Sequence, residues 1–181
     1  MGLEENLLAD YSRRGRVESL SALVSSSAAW MLAFLRGMLG SEHDADDAFQ
    51  NVWLRVIKSR SSYKGGSAKA YLAKIAHSVA IDMLRKKGRL PDLLGEESML
   101  EECISPNPDP GHVYESVSIS GDVKAAVAGL DIREREVVLM RIEGELSFKE
   151  IAAELSLPLG TVLTRMRKAT AKLKRFFKER K

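Results

Sequence analysis

Arg165, Arg167, Lys168 and Lys172 stand close together on one stretch of helical period, with Thr161 and Thr164 just ahead of them. Permanent cations beside hydroxyl side chains suit a polyanion, because ammonium and guanidinium groups take phosphates while hydroxyls and guanidinium forks reach base edges. The chain offers little for bond-making chemistry. It has no glycine-rich nucleotide loop, no cysteine cluster and no nucleophile–base constellation, and His43, His77 and His112 fall in three separate elements. No cofactor, metal or catalytic residue is expected; the residues describe a binding protein and not an enzyme.

Such cations need a rigid element to present them. Ser147–Lys172, SFKEIAAELSLPLGTVLTRMRKATAK, reads as two short helices joined by a tight turn. Ala152 is small enough for the helices to cross, Val162 faces back into the pair, and Ile151, Leu155 and Leu157 fill the other apolar positions. Pro158 closes the turn and starts the next helix. Helix-turn-helix units that dock in the DNA major groove share this layout, the second helix offering its N-terminal residues to the bases. An ordinary helical hairpin in an all-α core has the same pattern, so the segment alone leaves both readings open.

The charge distribution widens the argument. The 181 residues carry a formal net charge of +3, yet the charges are segregated. Arg85, Lys86, Lys87 and Arg89 make one basic cluster, and Arg165 to Lys181 holds a second. Between Leu90 and Val123 there is no Lys or Arg, while Asp92, Glu96, Glu97, Glu101, Glu102, Asp109, Glu115 and Asp122 all fall there. Two cationic patches separated by an acidic connector point to a polyanion touched at two places; solvated helix faces rich in Lys and Arg are the plainer account of either patch. Cys103 is the single cysteine, which excludes an internal disulfide. The opening MGLEENLLADYSRRGR lacks the apolar core of a signal peptide, and no apolar run is read as bilayer-spanning, so a cytoplasmic location without membrane contact is expected.

Helical periodicity continues almost throughout. Leu20, Leu23 and Val24 open an amphipathic stretch that Trp30, Met31, Phe34, Leu35, Met38 and Leu39 continue until Gly40. A second helix is predicted from Ser41–Asp44, its inward stripe Ala48, Val52, Leu54/Arg55 and Val56, fading at Lys58–Ser62. Tyr63-Lys-Gly-Gly-Ser67 is a loop. Ala68–Lys87 is a long helix ending in the first basic cluster. Prolines 91, 106, 108 and 110 argue for a linker, and helices resume over Val123–Leu130 and Ile132–Glu143. No strand alternation occurs. The predicted fold is all-α, with helical domains at 1–89 and 123–181, the second carrying the helix-turn-helix, and a flexible acidic linker at 90–122.

Three segments together resemble a known family. DADDAFQNVWLRV (Asp44–Val56), KAYLAKIAHSVAIDMLRKKGR (Lys69–Arg89) and LDIREREVVLMRIEGELSFKEIAAELSLPLGTVLTRMRKATAKL (Leu130–Leu173) are similar to a bacterial RNA polymerase sigma factor of the small two-domain extracytoplasmic-function (ECF) class. The resemblance implies a subunit that joins core polymerase and directs it to promoters for transcription initiation. It implies that the Asp44–Val56 helix grips the clamp helices of the largest catalytic subunit through Asp46, Asp47, Gln50 and Asn51; carboxylates and amides at such spacings share one helix face. A solvated helix face with acids placed for the dipole has the same look.

The same resemblance assigns the loop and long helix to the promoter −10 element. Tyr63, Lys64, Gly65 and Ser67 would surround a captured base, and Lys74, His77, Ser78, Arg85, Lys86 and Lys87 would line the DNA, the cations holding phosphates. Tyr71 stands where the family commonly has Trp and is read as core; His77-Ser78 replaces a common Arg-Asn. The helix-turn-helix would read the −35 element through Ser147, Lys149, Thr161, Leu163, Thr164, Arg165, Arg167 and Lys168, with Arg165 placed for a bidentate contact to guanine. Leu163 stands where a basic residue is frequent, and Ser156 replaces the usual turn glycine at a position that favours left-handed backbone. The polymerase flap and an anti-sigma factor are further partners implied by the resemblance alone. A stand-alone helix-turn-helix regulator remains the alternative, distinguished by unaided DNA binding.

Overall fold

A computed structural model of the protein describes residues 2–88 and 121–179. Arg89 and linker residues 90–120, Cys103 and His112 among them, lie outside the described residues, while Gly121 and Asp122, assigned to the linker, already belong to α5. Among the described residues every regular element is helical: α1 (Leu3–Arg14), α2 (Val17–Leu39), α3 (Glu42–Lys58), a short 3-10 turn (Arg60–Ser62), α4 (Ala68–Lys86), α5 (Gly121–Ala128), α6 (Ile132–Ile142), α7 (Phe148–Leu155) and α8 (Leu159–Lys178). The all-α expectation holds, and α1–α4 and α5–α8 form two helical clusters.

Local chemistry sets the helix ends. Gly40 ends α2 with φ 69°, a left-handed value that costs glycine nothing, and Ser41 caps α3 by accepting from the Asp44 N–H at 3.3 Å. Ser67 caps α4 by accepting from the Ala70 N–H at 3.1 Å. A capping box opens α7: the Ser147 N–H donates to Glu150 Oε2 at 2.8 Å, and the Glu150 N–H returns to Ser147 Oγ at 3.3 Å. The α7–α8 turn places Ser156 at φ 54°, ψ 41°, left-handed as its position requires, while the Leu157 N–H reaches back to the Ala152 carbonyl at 2.9 Å.

Burial follows the apolar stripes. Leu23, Met31, Phe34, Leu35 and Met38 run along α2 and are fully buried, facing Ala45, Ala48, Val52 and Val56 of α3 and Leu72, Ala73, Ala76 and Ala80 of α4. The alanines let α3 and α4 come close. The second cluster packs α6 against α7 and α8 through Val137, Met140, Ile151 and Val162. Arg135 ties α5 to α6, its guanidinium donating to the carbonyls of Val127 at 3.1 Å and Leu130 at 2.9 Å. Burial pulls its pKa below the ordinary arginine value, against the pull of Asp131.

Three expectations change. The first helix, α1, was not anticipated; its polar sequence hides Leu8 and Tyr11, which are buried one turn apart. Leu54 was placed inward and instead is 52 % exposed, because it sits just off the buried stripe of α3. The reading that no apolar run reaches bilayer-spanning length also fails: α2, with 23 residues and a mean hydropathy of 1.4 in its most apolar window, is long and apolar enough. Its buried side chains make it the central core helix of this fold instead.

Candidate functional site

The polar side of α3 is open. Asp46, Asp47, Gln50 and Asn51 are all exposed, with the Asn51 side chain donating to the Asp47 carbonyl at 2.9 Å. One turn further along, Leu54 and Ile57 continue this region as exposed apolar groups, Ile57 at 46 %. The structure therefore adds two residues that sequence reasoning missed. The only available signal was that Ala48, Val52 and Val56 already complete the inward stripe.

The loop after α3 is built differently from its expected use. Tyr63 lies beneath the loop and not on its surface: it is buried, donates its hydroxyl to the Gly66 carbonyl at 2.6 Å and meets the Tyr71 ring edge-on at 5.2 Å. Burial, helped by the Glu5 carboxylate, pushes its phenol pKa upward. In this conformation Tyr63 shapes the loop and presents no free face for stacking. Gly65 and Gly66 adopt φ 103° and 97°, open to solvent on the Cβ side, and Lys64 and Ser67 are exposed beside them. Tyr71 is half-buried with its hydroxyl 2.8 Å from Ser62 Oγ.

Along α4, the sequence-predicted residues divide. Arg85 and Lys86 project at its exposed C-terminal end, while Lys87 pairs with the buried Asp44 of α3. Ser78 accepts from Arg55, which also pairs with Asp82 at 2.6 Å. Lys74 and His77 point instead toward the second cluster. Lys74 Nζ lies 3.3 Å from Glu154 and His77 Nε2 lies 3.0 Å from Glu136.

The helix-turn-helix consists of α7 and α8. Val162 and Ala169 anchor α8 to α6, leaving Thr161, Leu163 and Thr164 half-exposed, and Arg167, Lys168, Ser147 and Lys149 exposed. Arg165 is the exception. Its guanidinium is 2.8 Å from Glu136 and its side chain only 11 % exposed. Glu136 and Glu134 are buried carboxylates that join α6 to α8, Glu134 through Lys172 at 2.8 Å. Neither was singled out in the sequence, where Arg-Glu-Arg-Glu resembles a solvated face. No cluster suited to a metal ion occurs among the described residues.

Fold and site together define an all-helical protein with an exposed acidic and apolar helix face, a cationic helix and a helix-turn-helix. The sigma-70 region 2 family matches residues 23–90, and the sigma-70 region 4 family matches residues 126–175. The ECF RNA polymerase sigma factor SigE of Mycolicibacterium smegmatis is 34% identical over 137 residues, 75% of this chain; the chain spans 52% of that relative's length. The ECF RNA polymerase sigma factor RpoE of Cereibacter sphaeroides is 31% identical over 134 residues, covering 74% of this chain and 70% of the relative. In the co-crystal structure of RpoE with the anti-sigma factor NepR from Bartonella quintana, RpoE shares this fold, with a TM-score of 0.68 at 21% identity over 90% of this chain and 98% of that one. The chain belongs to the ECF class of bacterial RNA polymerase sigma factors, non-catalytic subunits of transcription initiation.

Proposed function

We propose that this chain docks on core RNA polymerase through the exposed face of α3 and reads promoters through two separate surfaces, one on each helical cluster. The observation that carries the reading is the α3 face itself. Asp46, Asp47, Gln50 and Asn51 can grip the basic side chains of the clamp helices, and Leu54 and Ile57 supply the apolar contact that desolvates those ion pairs. The loop at Lys64–Ser67 and the end of α4 at Arg85 and Lys86 take the −10 region. There the two glycines let backbone approach a displaced base, and the cations hold phosphates. The α8 N-terminal half takes the −35 element, with Thr161, Leu163, Thr164 and Arg165 toward bases and Arg167, Lys168, Ser147 and Lys149 toward the backbone. The protein works in the cytoplasm, makes no membrane contact of its own and also meets the polymerase flap through its second cluster. Because RpoE of Bartonella quintana is held by the anti-sigma factor NepR, an anti-sigma factor is proposed here too.

A stand-alone regulator would bind its operator unaided, which the engagement of Arg165 with Glu136 disfavours. The test is assembly with core polymerase. The full chain should form a stable complex, and Leu54→Asp, at an exposed position that leaves the core intact, should weaken it roughly tenfold or more. Unchanged assembly by that variant with its melting temperature also unchanged would remove α3 as the docking face.

A further inference from the structure

The helix that periodicity failed to reveal, α1, is tied to the loop between α3 and α4 at several points. Glu5, Leu8 and Ser12 fall at i, i+3 and i+7 on one side of α1, and the fully buried Leu8 pins that side against the core. Ser12 donates its hydroxyl to the Arg60 carbonyl at 2.7 Å and stands 3.4 Å from the Tyr63 carbonyl. Glu5 Oε1 accepts from the Ala68 N–H at 3.4 Å, one of the donors that the start of α4 leaves without a helical partner. The Arg60 guanidinium occupies the space where a Cβ at Gly15 would stand, at the end of α1 where free carbonyls gather negative charge. From within, the Tyr63 hydroxyl closes the loop on the Gly66 carbonyl. Both ends of the loop are thereby held from α1, and Lys64, Gly65, Gly66 and Ser67 are left exposed between them.

We propose that α1 is part of the −10 reader: Ser12 and Glu5 are positioning residues that hold the 60–68 loop in one shape, so that base selectivity depends on two side chains acting only through that loop. This rests on the reading of Lys64–Ser67 as the segment that takes a displaced base. Gly65 and Gly66, at φ 103° and 97°, leave the backbone there wide conformational freedom. A loop free to wander would lose entropy on meeting a base and would fit several bases about equally well. Fastening its two ends removes much of that freedom before DNA arrives. The floor is fixed as well, since Tyr63 sits edge-on to Tyr71, whose hydroxyl lies 2.8 Å from Ser62 Oγ in the 3-10 turn. The promoter then meets one arrangement of backbone groups, and that arrangement selects the base.

Ser12→Ala and Glu5→Ala each cut one of the ties, while Ser12→Thr keeps the hydroxyl and Glu5→Gln keeps an accepting oxygen. In the free full chain, amide hydrogen exchange over Lys64–Ser67 should quicken about fivefold in both alanine variants and match wild type in the two conservative ones. In holoenzyme assembled with core polymerase, competition binding over single-base promoter variants should show discrimination at one −10 position relaxed about fivefold by Ser12→Ala and Glu5→Ala, and retained by Ser12→Thr and Glu5→Gln. Discrimination in the −35 element and affinity for core polymerase should stay within about twofold of wild type throughout. If one alanine variant loses its helical circular dichroism, the other carries the test. Alanine variants with wild-type exchange, or with wild-type −10 discrimination, overturn the proposal. So does an equal loss at both promoter elements with a lower melting temperature, which would make α1 a support of the fold alone. A wild-type holoenzyme with no preference at any −10 position would instead strike the reading of the loop, while the exchange result still decides whether α1 holds it.

Discussion

At the scale of single residues, charge alone does not say what a cation does. Arg165 and Lys168 lie on the same helix, yet Arg165 is held by Glu136 and Lys168 is exposed. Once the helix is on DNA the two should behave differently. If Arg165 reads a guanine as proposed, Arg165→Ala should cost about 1–3 kcal/mol of discrimination at a single G·C pair in the upstream element. Lys168→Ala should weaken holoenzyme binding to all sequences alike and lower the slope of log affinity against log salt by about one. Competition binding over a set of single-base promoter variants, repeated at several salt concentrations, checks both. The sequence made these cations conspicuous because they repeat at helical spacing. It hid Glu136, whose burial depends on α4 and α8 arriving from far along the chain.

At the scale of elements, the helix-turn-helix was the most legible part. Pro158 and the apolar spacing of Ile151 and Val162 are local signals, and the structure adds a Ser147–Glu150 capping box that the sequence reading did not use. The turn also retains a local conflict, since Ser156 adopts φ 54° where a Cβ is unfavourable. Ser156→Gly should therefore raise stability by about 1 kcal/mol, seen as a higher melting temperature, with −35 recognition unchanged. A drop in melting temperature would mean that the serine side chain matters more to the turn than its backbone strain. By contrast α1 was invisible in the sequence. Leu8 and Tyr11 sit among Glu, Asn, Asp and Arg, and only their packing against the first cluster distinguishes them from a solvated segment. Leu54 was misread and Ile57 passed over for a related reason: periodicity marks apolar residues without saying which will be left for a partner.

At the scale of the whole molecule, the two clusters were legible as separate units and their mutual packing was not. Pairs such as Lys69–Glu145 and the close approach of Gly37 to Leu139 join residues that no local pattern connects. Glu143 belongs to this seam. Burial raises its carboxyl pKa, an effect the Lys69 ammonium partly offsets. With the folded value above the unfolded one, its contribution to stability is fully present below the ordinary carboxylate range and is lost as pH rises through the folded value. Glu143→Gln should therefore match wild type at about pH 4 and exceed it in melting temperature at about pH 7. Equal pH profiles for the two proteins would show that Glu143 stays solvated.

The account stands on two promoter elements being read by two clusters of one polymerase-bound chain. Selection from a randomised promoter library by core polymerase reconstituted with the full chain tests this directly. Two enriched blocks at a fixed spacing are predicted, and Arg165→Ala should relax a position in the upstream block while leaving the downstream block intact. Enrichment of a single block, or of none above core polymerase alone, would contradict it.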